Sequence, residues 1–398
     1  MKSRPLLAAA LVAPLALILA SCSGGASPEG GASEDSAPIN VLMITSLTGP
    51  IANSAASQRD GLTAAVDTVN ASGGILGRQV ELTVVDDQLD PSVAANLLQQ
   101  QLDSGTPDLI WHGSSSSVAL SILPTIQREG VVSIACTAAT AINDPKTFPY
   151  AFGILPSNDL ETQAMIAYLE EEDVESVGLL TSDDANGQDT AAAYEAALDA
   201  AGIEWTNETY NFKDVDMTAQ LSRLAAEEPD RIITQGYGAA AGYYLKSRTR
   251  LGITIPTIGA SSLANGTNLD TITTASDWVN LELMAYPVNT PDSVNQERAA
   301  WDELFGQLSK VDSTAVGYTC GWDTLMTWKR AAEQAGSVEA DKVKEALEGL
   351  DEVPEADLET LSFQYVEYSP ESHFPILEPS EAFVITEPGP LVDGIVTP

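Results

Sequence analysis

The chain has 398 residues, with 18 Lys and Arg against 57 Asp and Glu, two His and three Cys. That length is enough for two or three domains with a substantial core, and 44% hydrophobic with 19% charged residues is a globular composition, not a disordered one. A formal net charge of −39 repels phosphate backbones and anionic lipid heads, which excludes nucleic acid as a partner and points to a solvated acidic surface.

The N-terminus carries Lys2 and Arg4 and then an almost unbroken apolar stretch over 6–20. This is too short and wrongly flanked for a spanning helix, and it reads as an export signal covering 1–21. It closes in Leu19-Ala20-Ser21-Cys22, which resembles a bacterial lipobox, so Cys22 is the expected lipidation site. The alternative is an ordinary secretory signal that contains a Cys. Residues 22–38 are rich in Ser, Gly, Ala, Pro and acid and read as a flexible tether. No later segment is long and apolar enough to span a membrane. The expected location is therefore extracytoplasmic, with membrane contact through the N-terminal lipid alone.

From residue 39 short apolar runs alternate with amphipathic stretches. The run over 39–44 suits a strand covered on both faces. Leu62, Ala65, Val66 and Val69 then fall on one helical face, with Gly73-Gly74 able to end that helix in the left-handed conformation. A strand over 80–85 is followed by Asp90-Pro91, an N-cap with Pro at the first helical position. A strand over 109–111, a helix over 118–128 and a strand over 131–135 continue the rhythm, which predicts a doubly wound parallel sheet with right-handed crossovers.

The pattern then restarts. Helices are expected over 160–169, 190–201, 219–226 and 240–250, and strands over 177–180, 204–210, 231–234 and 254–258. A second α/β lobe of the same class follows from this. Beyond 278–285, helices near 297–308, 318–335 and 338–347 bring too few strands for a third sheet and should return to the first lobe. The fold class is thus α/β, with two doubly wound parallel-sheet lobes. Lobe 1 comprises 39–155 and 287–362, and lobe 2 comprises 156–286 and 363–398, the Pro-rich tail finishing the edge of lobe 2. Cys136 and Cys320 remain after Cys22. A disulfide between them and two separate buried thiols are both open.

Particular residues resemble a known family. Leu47-Thr48-Gly49-Pro50, then Val69-Asn70-Ala71-Ser72-Gly73-Gly74-Ile75-Leu76-Gly77-Arg78, then Val84-Val85-Asp86-Asp87-Gln88 and Asp90-Pro91 closely resemble the extracytoplasmic solute-binding proteins of branched-chain amino-acid ABC importers. These are the leucine/isoleucine/valine-binding, type I periplasmic-binding-protein group. The resemblance continues at Gly130-Val131-Val132, over 150–158, at Gly236-Tyr237-Gly238 and around Leu251-Gly252, and covers most of 39–365. It implies three crossover segments between the lobes, with the ligand held in the cleft at the carboxyl ends of the strands.

Ser114 to Ser117 join a strand end to a helix start, where free N–H groups attract a carboxylate or other polar oxygen. The resemblance implies that one of Ser115 and Ser116 holds the ligand carboxylate; the alternative is that these serines only cap the helix. It also places Thr137 and Ala139 at cleft-facing positions, with Thr140 a near alternative, and makes Tyr237 a cleft aromatic. The chain departs from the family pattern at three places. Ser261 stands where many amino-acid-binding relatives carry an acid for the ligand ammonium, so either another acid serves or the ligand has no α-ammonium. Ser54 and Asn186 replace two aromatics. The cleft is therefore expected to be lined by hydroxyls and to take a small polar solute, such as an amino acid, amide, urea-like compound or small carboxylate.

Other features carry no chemistry. Asp183 to Gly187 fail the spacing of a calcium loop, His112 and His373 lack zinc-site spacing, and no nucleophile elbow or phosphate-cradling loop occurs. Asp86 and Asp87 point to opposite faces of a strand and would not share a substrate. No metal and no cofactor is expected. The expectation is a monomeric, lipid-anchored, non-enzymatic receptor that passes a small solute to an ABC importer permease. The alternatives are a ligand-sensing module of the same fold and an enzyme on a Rossmann-like fold.

Overall fold

The computed structural model describes residues 37–398 apart from 212, 237, 265–271, 292, 353, 355–357 and 364–365. Cys22 and Tyr237 thus lie outside the described residues.

The first lobe is built on β1 (Ile39–Thr45), β2 (Val80–Asp86), β3 (Leu109–His112), β4 (Val132–Ala135) and β5 (Ala151–Gly153), in the order β2-β1-β3-β4-β5 and all parallel. The interleaved helices are α1 (Ala52–Ala71), α2 (Pro91–Leu102) and α3 (Ser116–Glu129). After β5 the chain crosses to α4 (Asn158–Glu171) and lays down β6 (Ser176–Ser182), α5 (Ala185–Ala201), β7 (Glu204–Tyr210), α6 (Thr218–Ala226), β8 (Arg231–Thr234), α7 (Ala239–Leu251), β9 (Thr257–Gly259), α8 (Ser261–Ala264) and β10 (Leu281–Ala285). The second sheet runs β7-β6-β8-β9-β10, the same winding as the first, with the antiparallel β11 (Val384–Thr386) added at its edge. In both lobes the winding reverses beside the first strand, between β1 and β3 and between β6 and β8, and that is where a doubly wound sheet opens a crevice.

Local chemistry sets these elements. The inner strands are buried on both faces: β3 and β4 have no exposed residue, and the outer faces of the two sheets carry separate apolar clusters under α2 and α3 and under α6 and α7. Edge strands β2 and β7 are only half covered. The Asp90 carboxylate accepts from the N–H groups of Ser92 and Val93 at the start of α2, with Pro91 at the first helical position as expected. Asp86 and Asp87 are occupied in tying loops. Asp86 accepts from Thr48 Oγ1 at 2.9 Å, and the buried Asp87 accepts from Ser46 Oγ at 2.6 Å and from the Leu89 N–H at 2.8 Å.

After β10 the chain returns to the first lobe with α9 (Ala299–Phe305), α10 (Ala315–Ala335) and α11 (Ala340–Leu347). α10 packs along α1 over much of its length, and Gly321 and Gly317 let the two backbones approach. α9 is shorter than the 297–308 pattern suggested, because Val294–Glu297 is already a separate 3-10 turn and Gly306 closes the helix. Asp323 of α10 is buried and accepts from the N–H groups of Leu361 and Ser362, both at 2.7 Å, which holds the segment leading to the tail.

The tail does not belong to lobe 2 alone, as 363–398 was expected to. β11 completes the second sheet, but His373 stacks on Phe152 and bonds to the Ala151 carbonyl, and its own carbonyl accepts from the Gly153 N–H. Phe374 sits in the apolar cluster of the first lobe. The segment thus serves as a further crossing, because β5 would otherwise be an uncovered edge. β12 (Leu391–Val392) and β13 (Ile395–Val396) form a hairpin whose Gly394 carbonyl accepts from the Ala315 N–H at the start of α10.

Candidate functional site

Both switch points open onto one cavity of about 130 Å³ between the lobes. The first turns of α1, α3 and α10 line it from lobe 1, and the starts of α5 and α7 from lobe 2. Each of these helices presents its positive dipole end there, a setting that favours an anionic ligand group.

Of the residues singled out in the sequence, Ser54, Ser115, Ser116, Thr137, Asn186 and Ser261 all line this cavity. Ala139 does not. It is fully packed at the start of the 3-10 turn Thr140–Ile142, and Ala138 lines the cavity in its place. The serines at the start of α3 differ in their hydrogen bonding. Ser115 is the N-cap and its hydroxyl accepts from the Val118 N–H at 3.3 Å, while Ser114 shares a 2.7 Å bond with Thr45. Ser116 opens the first turn with its hydroxyl uncommitted to the cap.

Cys136 and Cys320 are joined by a disulfide, and both line the cavity. The bond ties the end of β4, which carries Thr137, to α10. His112, buried at the end of β3, lies 3.3 Å from Thr137 Oγ1. Burial lowers its pKa to about 3, so it is neutral and orients the threonine without adding charge.

Several lining residues were not picked out in the sequence. Gln58 of α1, Thr190 of α5 and Gln235 after β8 are buried, and each has a polar atom without a partner: Gln58 Oε1, Thr190 Oγ1 and Gln235 Nε2. Gln235 Oε1 is held by the N–H and hydroxyl of Ser182, which leaves its NH2 directed elsewhere. Glu161 of α4 also lines the cavity at 7% exposure, and its carboxylate accepts from both the N–H and the hydroxyl of Ser261. Burial pushes the Glu161 carboxyl up, and those donors pull it part of the way back.

The lobes touch across the rim of the cavity. The Thr140 N–H donates to Asp189 at 2.9 Å, the Ala185 N–H donates to Ser117 Oγ at 3.3 Å, and Gly238 lies against the Pro50 carbonyl. Such an arrangement can hold a small solute between the lobes. Among the described residues no group of His, Cys, Asp and Glu is placed to hold a metal ion, and no helix is long and apolar enough to cross a membrane.

A sequence profile of the family described as periplasmic binding protein matches residues 38–368. A Leu/Ile/Val-binding protein of Rhizobium johnstonii is 26% identical over 323 residues, covering 80% of this chain and 86% of that protein. Among solved structures, the branched-chain amino acid transporter substrate binding protein of Streptococcus pneumoniae, in complex with isoleucine, superposes with a TM-score of 0.73 at 20% identity, covering 88% of this chain and all of that one. A solute binding protein of an ABC transporter from Rhodopseudomonas palustris, in complex with 3,4-dihydroxy benzoic acid, gives the same TM-score at 18% identity, covering 88% and 93%. These structural likenesses establish the fold, that of type I periplasmic binding proteins.

Proposed function

Because the chain belongs to the periplasmic binding protein family, whose members bind solutes and are not enzymes, we propose that it captures a small polar organic solute in the interlobe cleft and delivers it to the permease of an ABC importer. The observation that carries this reading is the set of buried, unpartnered polar atoms on Gln58, Thr190 and Gln235, which wall one cavity from both lobes. Leaving a buried donor or acceptor unpaired costs about 1–3 kcal/mol, so a ligand able to pair with these groups gains affinity and an aliphatic side chain does not. Ser116 and the N–H groups opening α3 receive the oxygen or carboxylate of the solute, with Thr137 beside them. Ser54 and Asn186, in place of bulky aromatics, leave room for polar contacts.

Cys22 is the lipidated residue in this reading, and 22–38 tethers a monomeric body outside the cell membrane. No bond of the solute is broken. Closure requires only that the solute bind the closed arrangement better than the open one.

A thermal-shift screen of amino acids, primary amides, urea and small carboxylates tests the proposal, followed by mass spectrometry of the recovered solute. One polar solute at 100 times its Kd should stabilise the native state by about 2.7 kcal/mol and be recovered unaltered. Leucine or valine outranking every polar solute would remove the polar specificity, and chemical conversion of the solute would remove the transport role.

A further inference from the structure

We propose that a groove lined by Arg330, Ser293 and Asn295 is a second binding site, taking an organic monocarboxylate that has an apolar body and one hydrogen-bond donor. The groove shares no lining residue with the interlobe cavity, and the proposal does not rest on the solute-capture reading.

The groove has a volume of about 780 Å³, against about 130 Å³ between the lobes, and is of the size that takes drug-sized organic ligands. One wall is the segment that carries the chain from β10 to α9. Another is the run from Ser362 into the tail, so an occupant bridges two of the crossings between the lobes. The apolar part of the lining is only half covered. Phe363 and Val366 are buried, but Val294 and Ile376 are 54% and 45% exposed. A hydrophobic ring or chain laid against them would cover large side chains that otherwise face water.

The polar groups set the rest of the ligand. Arg330, on α10, is half-buried, and among the described residues it has no hydrogen bond or ion pair. Burial holds its pKa below the usual guanidinium value, against the opposing charges of Asp351 and Glu359. Glu359 is itself paired with Lys329 at 2.8 Å. A ligand carboxylate would therefore meet a partly desolvated guanidinium, the planar fork that suits it best. Ser293 and Asn295 are 8% and 3% exposed, and Ser293 Oγ and Asn295 Oδ1 have no partner among the described residues. Asn295 Nδ2 donates to the Leu361 carbonyl at 2.8 Å, which leaves Oδ1 as an acceptor in need of a donor. Glu352, Glu367 and Glu381 also line the groove, all three exposed, and Glu381 accepts from the Glu378 N–H. Their charge favours a ligand with a single negative group over a dianion.

Fluorescence titration with 6-hydroxy-2-naphthoate tests this, because the probe joins a carboxylate, a bicyclic apolar body and a hydroxyl donor. The wild-type protein should bind it. Arg330→Gln should weaken binding by about 10- to 100-fold, the scale of a charge-assisted hydrogen-bonded pair. Ile376→Glu, which sets a like charge on an exposed part of the wall, should weaken it by about 10-fold. Three analogues should each bind at least about 10-fold more weakly than the probe: 2-naphthol without the carboxylate, 6-methoxy-2-naphthoate without the donor, and 2,6-naphthalenedicarboxylate with a second charge. If Arg330→Gln fails to fold, Ile376→Glu and the analogues decide. No binding of the probe, or binding that either folded variant leaves unchanged, overturns the site. Any analogue binding as tightly as the probe overturns the ligand class. Either failure leaves solute capture standing, since the screen of polar solutes reads the interlobe cavity independently.

Discussion

Replacing Cys136 and Cys320 by serine, or reducing their disulfide, is expected to destabilise the protein by about 5 kcal/mol, the chain-entropy value for a loop of this size. The bond joins residues 184 apart in sequence, so it restricts the denatured chain over nearly half its length. It also lies in the wall of the cleft, between the end of β4 and the second turn of α10. Urea unfolding of the oxidised and doubly substituted proteins should show a clearly lower midpoint for the latter with a steeper slope, because the unlinked denatured chain exposes more surface. Equal midpoints would mean that the bond adds nothing to the stability of the fold. Solute affinity should fall as well, because Thr137 and the first turn of α10 are held in register by this link.

Gly238→Ala is expected to weaken solute binding by about 100-fold, equivalent to about 2.7 kcal/mol. Gly238 has φ +61° and ψ −148°, a region open almost only to glycine. A Cβ there would lie 2.5 Å from the Pro50 carbonyl oxygen and 3.5 Å from Ile51 Cγ2. Gly238 is in lobe 2 and Pro50 and Ile51 are in lobe 1, so the clash opposes closure. Titration of the solute would measure the loss, and the unliganded melting temperature would show the local backbone strain. A lower melting temperature with unchanged affinity would mean that the lobes do not need this close approach.

Much of the architecture was legible because doubly wound sheets leave a strong mark on sequence. Inner strands read as short apolar runs, as at 39–44 and 109–111, and Asp90-Pro91 marks a helix start by chemistry that does not depend on context. The first two turns of α1 were less visible. Ser54 and Gln58 face the cleft and Ser57 faces α10, and their small or polar character breaks the apolar stripe that begins clearly only at Leu62. Gln58 was missed for that reason.

Glu161 was hidden differently. Ser157 caps α4, and acids in a first helical turn are ordinarily explained by the helix dipole, so nothing in 157–161 singles this one out. The informative signal was indirect: the missing acid at Ser261 announced that a charge had to come from elsewhere or be absent from the ligand. Ala139 and Ala138 were exchanged because an irregular turn after β4 has no period from which to read orientation. The tail was assigned to one lobe because its pairing with β5 runs through His373 and Phe374, single residues whose contacts leave no repeat in the sequence.

The central claim is capture by closure of two lobes around a solute, and small-angle X-ray scattering on the protein with and without the solute that raises its melting temperature most tests it directly. The radius of gyration should fall on binding, and the bound curve should match the closed arrangement, in which Thr140 meets Asp189 and Gly238 meets Pro50. An unchanged radius of gyration at full saturation would contradict it.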